Sequence, residues 1–239
     1  MNIVKLGLAV AVATLIGTAA QAGTIIHDDP SDFSNISVIT GTLANGNAIT
    51  DPSRTDFNAV FDGDPNTFYS VGFGGSISLT LNPSHYSITN GSVIEVTFPG
   101  GDKHAEALAV YLGTESDPFA NLIGYFLNTD ANGGGTPGVI NSNPGIATLA
   151  FALLPGNEGG LYTIENINGS FNTISFVDAS GLNDDGIGLS YPGQTKRTST
   201  DGFDIGEIRV TSVPEPGSLV LLGAGLAGLG LLGRRRKAA

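Results

Sequence analysis

Hydrophobic and polar positions alternate in short runs through most of the chain. Gly75 to Leu81 (GSISLTL) places Ile77, Leu79 and Leu81 on one face and hydroxyl side chains on the other, the period-two pattern of a half-buried strand. Val93 to Phe98 (VIEVTF) alternates in the same way. Runs rich in β-branched and aromatic residues also occupy Ile36–Thr40, Ala107–Leu112, Leu122–Leu127, Ile146–Leu154, Leu161–Ile167, Thr173–Val177 and Phe203–Val210. Ile146–Leu154 also fits a short buried helix. Gly, Asn, Ser, Thr and Asp punctuate the runs, and Thr129–Pro144 and Gly181–Thr200 read as long glycine-rich loops. Gly23 to Asn35 reads as a loose lead-in or an edge strand. No convincing helix stands between Gly23 and Val213. About nine short strands with turn residues between them predict an all-β fold, a single β-sandwich over residues 23–212.

Two apolar runs break this rhythm. Lys5 precedes Leu6–Ile16, and Ala20-Gln21-Ala22 follows it. That order of charge, apolar core and small-x-small site predicts a signal peptide over residues 1–22, removed before Gly23. The second run, Ser218–Gly233, carries no charge and is followed directly by Arg234, Arg235, Arg236 and Lys237. As a helix it would span about 24 Å, short for a bilayer core of about 30 Å but sufficient if the arginines snorkel. The cations would stay on the cytoplasmic side, leaving the body outside. The expected organisation is therefore 1–22 signal peptide, 23–212 β-sandwich, and 213–239 tail with a transmembrane helix over 218–233.

Composition sharpens the picture. The formal net charge is −12, and half of the ten Lys and Arg residues, namely Lys5 and the Arg234–Lys237 cluster, lie in the terminal segments. The body is thus strongly acidic. It repels nucleic acid, which is not expected as a partner, and favours solubility or cation binding. Cysteine is absent, which removes disulfides, thiol catalysis and cysteine zinc sites from consideration.

Candidate chemistry is sparse. No G-x-S-x-G or H-E-x-x-H occurs, so the hydrolase signatures are missing. His104 and Glu106 form a lone H-x-E pair, too few ligands for a metal and expected to be exposed surface. Asn128–Gly133 opens like an EF-hand loop, but Val139 stands where a bidentate Glu is required, so it reads as a loop. Sugar binding uses aromatic faces beside polar groups. Phe68, Tyr69, Phe73, Tyr86 and Tyr191 are the candidates in loops or at strand ends.

Val213-Pro214-Glu215-Pro216-Gly217, the apolar run and the arginine cluster together resemble the PEP-CTERM sorting signal. The two prolines disfavour helix and withhold two amide donors. They leave an extended segment where the apolar run would emerge from lipid. The resemblance implies recognition through Pro214, Glu215 and Pro216 by an exosortase, a membrane-embedded processing enzyme, after anchoring through the tail. A second resemblance rests on Asp62-Gly63-Asp64-Pro65-Asn66-Thr67, followed by the strand GSISLTL, and on the late segment Asp201–Val210 with Glu207. These resemble the first and last parts of a discoidin-like, galactose-binding-like jelly roll. That likeness implies a jelly-roll-like sandwich with a structural calcium held by Asp62, Asp64, Thr67 and Glu207. The family carries a tryptophan near Tyr69, and this chain has no Trp. The expectation is an exported, non-enzymatic protein of the cell surface or extracellular matrix, associated with exopolysaccharide. The alternatives are a carbohydrate-binding module with a defined glycan pocket or a glycan-active enzyme.

Overall fold

The computed structural model describes residues 24–64, 67–82, 86–96, 106–128, 137–154, 159–181, 192–193 and 201–214. Ile25–Val213 forms one compact unit. Its strands are β1 (Ile25–His27), β2 (Phe33–Ile39), β3 (Tyr69–Ser70), β4 (Ser76–Leu81), β5 (Tyr86–Val96), β6 (Ala107–Thr114), β7 (Asp117–Leu127), β8 (Gly138–Asn141), β9 (Thr148–Leu153), β10 (Gly159–Glu165), β11 (Thr173–Asp178) and β12 (Asp204–Pro214). One sheet runs β1-β12-β5-β10-β9, with β3 also paired to β12, and the other runs β2-β4-β11-β6-β7-β8. Neighbouring strands run antiparallel wherever their register is defined.

The alternation in the sequence becomes the face that each strand buries. Ile77, Leu79 and Leu81 of β4 are fully buried, and Leu108, Val110 and Leu112 of β6 and Ile174 and Phe176 of β11 meet them in one core. The first sheet contributes Val93, Tyr162, Ile164, Ile205, Ile208 and Val210. Burying each large apolar side chain stabilises the fold by about 1.5–3 kcal/mol. Tyr162 lies at the centre, its ring 4.8 Å from Phe126, 5.0 Å from Phe151 and 5.9 Å from Phe203.

The expected strands are present, with differences that have local causes. Residues 148–153 form strand β9 rather than a helix, because they pair with β10 from Thr148↔Glu165 to Leu153↔Gly160. Strand β5 starts at Tyr86 and β7 at Asp117, well before their apolar parts. Their polar halves are extended because neighbours complete their hydrogen bonds, as in the pairs Gly91↔Ile164 and Asp117↔Thr114. The lead-in proves to be edge strand β1 and the start of β2. Between them a 3-10 turn, Pro30–Asp32, is capped by Asp29, whose Oδ1 accepts the Ser31 amide at 2.8 Å. Among the described residues one α-helix, the single turn α1 (Pro52–Thr55), follows with Asp51 as its N-cap.

Glycine is required at Gly41, which crosses the segment at Gly72 and Phe73. A Cβ there would lie 2.4 Å from the backbone atoms of both residues.

Candidate functional sites along the last strand

Strand β12 passes three features in turn: a group of buried carboxylates at its start, the Asp-Gly-Asp loop alongside it, and the sorting segment at its end.

At the start, Asp201 and Asp204 are buried. Helix α1 brings the Arg54 guanidinium to Asp201 and to within 3.7 Å of Asp204, stacked 5.4 Å over the Phe68 ring. Ser70 Oγ donates to Asp204 Oδ1 at 2.5 Å. Burial raises the Asp204 carboxyl to about 6, against the opposing pull of Ser70 and Arg54. Asp178 Oδ1 accepts from Ser180 Oγ at 2.6 Å and from the Phe203 amide at 3.2 Å. Gly202 turns here at φ 81°, where a Cβ would lie 2.8 Å from Asp178 Oδ1. Deeper in the core, burial pushes Glu95 up to about 8. Glu106 is also buried rather than exposed, bonded to Asn128 Nδ2 at 2.8 Å; His104 lies outside the described residues. These acids are buried and bonded to hydroxyls, amides or Arg54 of neighbouring segments, so they fasten loops and strands together. A pocket of about 250 Å³ borders Arg54, lined by Leu43, Ile49, Thr50 and Asp51, but the guanidinium is turned toward its two aspartates.

The Asp-Gly-Asp loop follows the 3-10 turn Phe57–Phe61, with Gly63 at φ 70°. Asp62 Oδ1 accepts the Asp64 amide at 2.8 Å, and its Oδ2 lies 2.7 Å from Thr67 Oγ1. Thr67 Oγ1 is 3.0 Å from the Asp64 carbonyl. The Thr67 hydroxyl thus ties the Asp62 carboxylate to the Asp64 carbonyl and closes the turn. The pairs Asp204↔Ser70 and Ile205↔Tyr69 set the start of β12 beside the strand that follows the loop. The Glu207 carboxylate, however, pairs with Arg209 on its own strand. Among the described residues no group of three or more His, Cys, Asp or Glu is placed to hold a metal. Of the four residues expected to hold calcium, Asp62, Asp64 and Thr67 lie together in the loop, and Glu207 is held by Arg209. Pro65 and Asn66 lie outside the described residues.

At its far end β12 reaches Pro214. Glu215, Pro216, the run 218–233 and Arg234, Arg235, Arg236 and Lys237 lie outside the described residues, as does the expected signal peptide. Among the described residues no helix is long and apolar enough to cross a membrane.

The expected aromatic candidates are mostly committed to packing. Tyr69 and Phe73 are core residues, Tyr86 packs on His27, and Phe68 lies under Arg54; Tyr191 lies outside the described residues. Other half-exposed aromatics went unnoticed in the sequence. Tyr111 and Tyr125 pack on a small second cluster with Ala107, Ala109 and Leu127. Phe119, 42% exposed, meets Tyr111 edge-on at 5.6 Å. Burial raises both tyrosine hydroxyls above their ordinary range. The signal was there in ALAVYL: Ala107, Ala109 and Tyr111 alternate with the core residues Leu108, Val110 and Leu112.

Residues 212–237 match the PEP-CTERM protein-sorting motif. No curated protein matches the chain. Among solved structures, the C-terminal domain of a chitobiase from Bacteroides fragilis aligns at TM-score 0.40 and 12% identity, over 80% of this chain and 98% of that one. The CBM32-1 and CBM32-2 domains of ZmpB from Clostridium perfringens, in complex with GalNAc, align at TM-score 0.39 and 11% identity, over 81% and 42%. The family 32 CBM of NanJ from the same organism, in complex with galactose, aligns at 0.35 and 11%, over 78% and 99%. No ligand or activity is carried over from likenesses of this size.

Proposed function

We propose that the chain is an exported, non-enzymatic protein of the cell surface or extracellular matrix, held at the envelope by its C-terminal tail until a processing enzyme of the exosortase kind removes that tail. The observation that carries this reading is the PEP-CTERM motif over residues 212–237. It places Pro214, Glu215 and Pro216 immediately after the folded body, with the uncharged run and the arginine cluster behind them. The acidic body suits a hydrated matrix rather than nucleic acid or an anionic lipid surface, and association with exopolysaccharide is part of the proposal. The test is the mass of the mature protein from its native host. Loss of the segment after the motif is expected, and the Pro214→Ala, Glu215→Ala, Pro216→Ala triple variant should keep it. A triple variant trimmed like the wild type overturns the recognition role.

A carbohydrate-binding reading is favoured by the half-exposed aromatics Tyr111, Tyr125 and Phe119, since sugar rings stack on such faces. A glycan array with the mature protein decides it: a specific hit lost in Tyr125→Ala supports a binding module, and no hit leaves the structural role. Calcium, held by Asp62, Asp64, Thr67 and Glu207, is proposed as a structural ion that ties the loop to β12.

A further inference from the structure

The sorting motif match begins at residue 212, yet β12 continues through Ser212 and Val213 to Pro214. Strand β12 therefore extends into the first residues of the matched segment. Ser212 is fully buried. Its outer side is occupied by β1, in the register Ile25↔Ser212, Ile26↔Thr211 and His27↔Val210. Strand β1 is the edge of its sheet, and β5 flanks β12 on the other side. His27 fastens the edge: its Nε2 lies 2.7 Å from Ser212 Oγ, and its ring packs 6.2 Å from Phe33 and 5.9 Å from Tyr86.

This fastening is slight. Strand β1 has three residues, and only His27 is buried while Ile26 is 59% exposed. His27 Nδ1 is buried without a hydrogen-bond partner, with Asp32 Oδ1 at 4.0 Å. Short edge elements with few buried groups open locally at free energies well below that of global unfolding. Recognition of an extended peptide by strand addition engages its free main-chain donors and acceptors. In residues 210–212 those groups face β1 on one side and β5 on the other.

We propose that β1 is a releasable latch over the start of the sorting segment, and that the processing enzyme receives the segment only after β1 has left β12. The inference rests on the reading that the tail is enzymatically removed. Release of β1 frees the outer edge of β12, while β5 keeps the strand seated and the core intact. The rate of tail removal then follows the population of the open form.

The chain has no cysteine, so a pair placed across the latch forms the one available disulfide. Ile26 and Thr211 stand directly opposite each other. Directly opposed residues of an antiparallel pair have Cα atoms about 4.5–5.5 Å apart, within disulfide range. The full chain carrying Ile26→Cys and Thr211→Cys is expressed in the native host, bond formation is checked by thiol labelling, and tail removal is followed by mass in membranes with and without dithiothreitol. The expected result is removal slowed at least about tenfold in the oxidised form, as it must be if only the opened form is cut, and restored on reduction. His27→Ala should be trimmed several-fold faster than wild type. Equal trimming of the oxidised and reduced pair, with normal trimming of wild type, overturns the latch and leaves the sorting reading standing. A wild-type chain that is never trimmed overturns both.

Discussion

Replacing Glu95 by glutamine should stabilise the protein above neutral pH and change little in mild acid. The reasoning starts from the Tyr162 hydroxyl, which lies 2.9 Å from Glu95 Oε2 and 2.8 Å from the Leu127 carbonyl. A phenol has one proton, and the carbonyl can only accept. The proton therefore goes to Leu127, and the bond to Glu95 forms only if the acid itself donates to the phenolic oxygen. Geometry thus calls for a protonated Glu95, and burial raises its carboxyl from 4.5 to about 8. Across that window the unfolded chain has lost the proton and the folded chain keeps it. The native state binds more protons, so stability falls as pH rises from about 4.5 to about 8. At about 1.4 kcal/mol per pH unit, the ceiling on that fall is about 4–5 kcal/mol. The side-chain amide introduced by Glu95→Gln offers an N–H donor to the same oxygen and has no charge to bury, so the slope should vanish in that variant. Two other groups bend the curve at lower pH. Asp204, raised by burial to about 6, adds a fall in the same direction between 3.8 and 6. His27, lowered chiefly by burial, gives the opposite slope, since its contribution is lost as pH drops below 6.5. The interval from about pH 6.5 to 8 therefore isolates Glu95. Urea denaturation of wild type and Glu95→Gln across it is the assay. Parallel curves would show that Glu95 is already ionised and that the proton assignment is wrong.

Calcium at millimolar concentration should raise the melting temperature relative to chelator, because an ion bound only by the folded state adds stability. Asp62→Asn should abolish the increment, and identical melting of the wild type in both conditions removes calcium from the account. Arg54→Ala leaves Asp201 and Asp204 buried without their cation and should cost about 3 kcal/mol, partly recovered by adding Asp204→Asn. A loss in chemical denaturation below about 1 kcal/mol would mean the carboxylates are compensated elsewhere. Gly41→Ala drives a methyl into the backbone of Gly72 and Phe73 and should cost about 2–4 kcal/mol in the same assay. A loss within about 0.5 kcal/mol would show that the two segments can separate.

Alternation made β4, β6 and β11 readable, because their large apolar residues fall on the face turned to the main core, although the small and hydroxyl residues of the other face are mostly buried as well. It could not reveal β1, β3 or β8, which have between two and four residues. Such strands exist because a neighbour supplies their hydrogen bonds, and that information is not local. The polar half of β5, Ser87–Ser92, is extended for the same reason. The loop at Asp62 was readable as turn chemistry, since an Asp side chain bonding an amide two residues on is a local event. The Glu207–Arg209 pair was readable in principle, because residues two apart in a strand share a face. Arg54 was not: its partners lie far along the chain at Asp201 and Asp204, and only the closing of the sheet brings them together. VIEVTF did carry one overlooked clue. Glu95 shares a face with Val93, which is fully buried, so a carboxylate was placed on an apolar side.

Strand β12 runs from the Arg54 cluster at its start to Pro214, inside the matched sorting motif, at its end. A pull applied at Pro214 along the strand's axis would load its ladder in shear. Hydrogen bonds between antiparallel strands lie crosswise to such a pull, so those to β5 must yield together rather than one after another. Arg54, gripping Asp204 at the far end, holds the strand like the knot at the end of a rope.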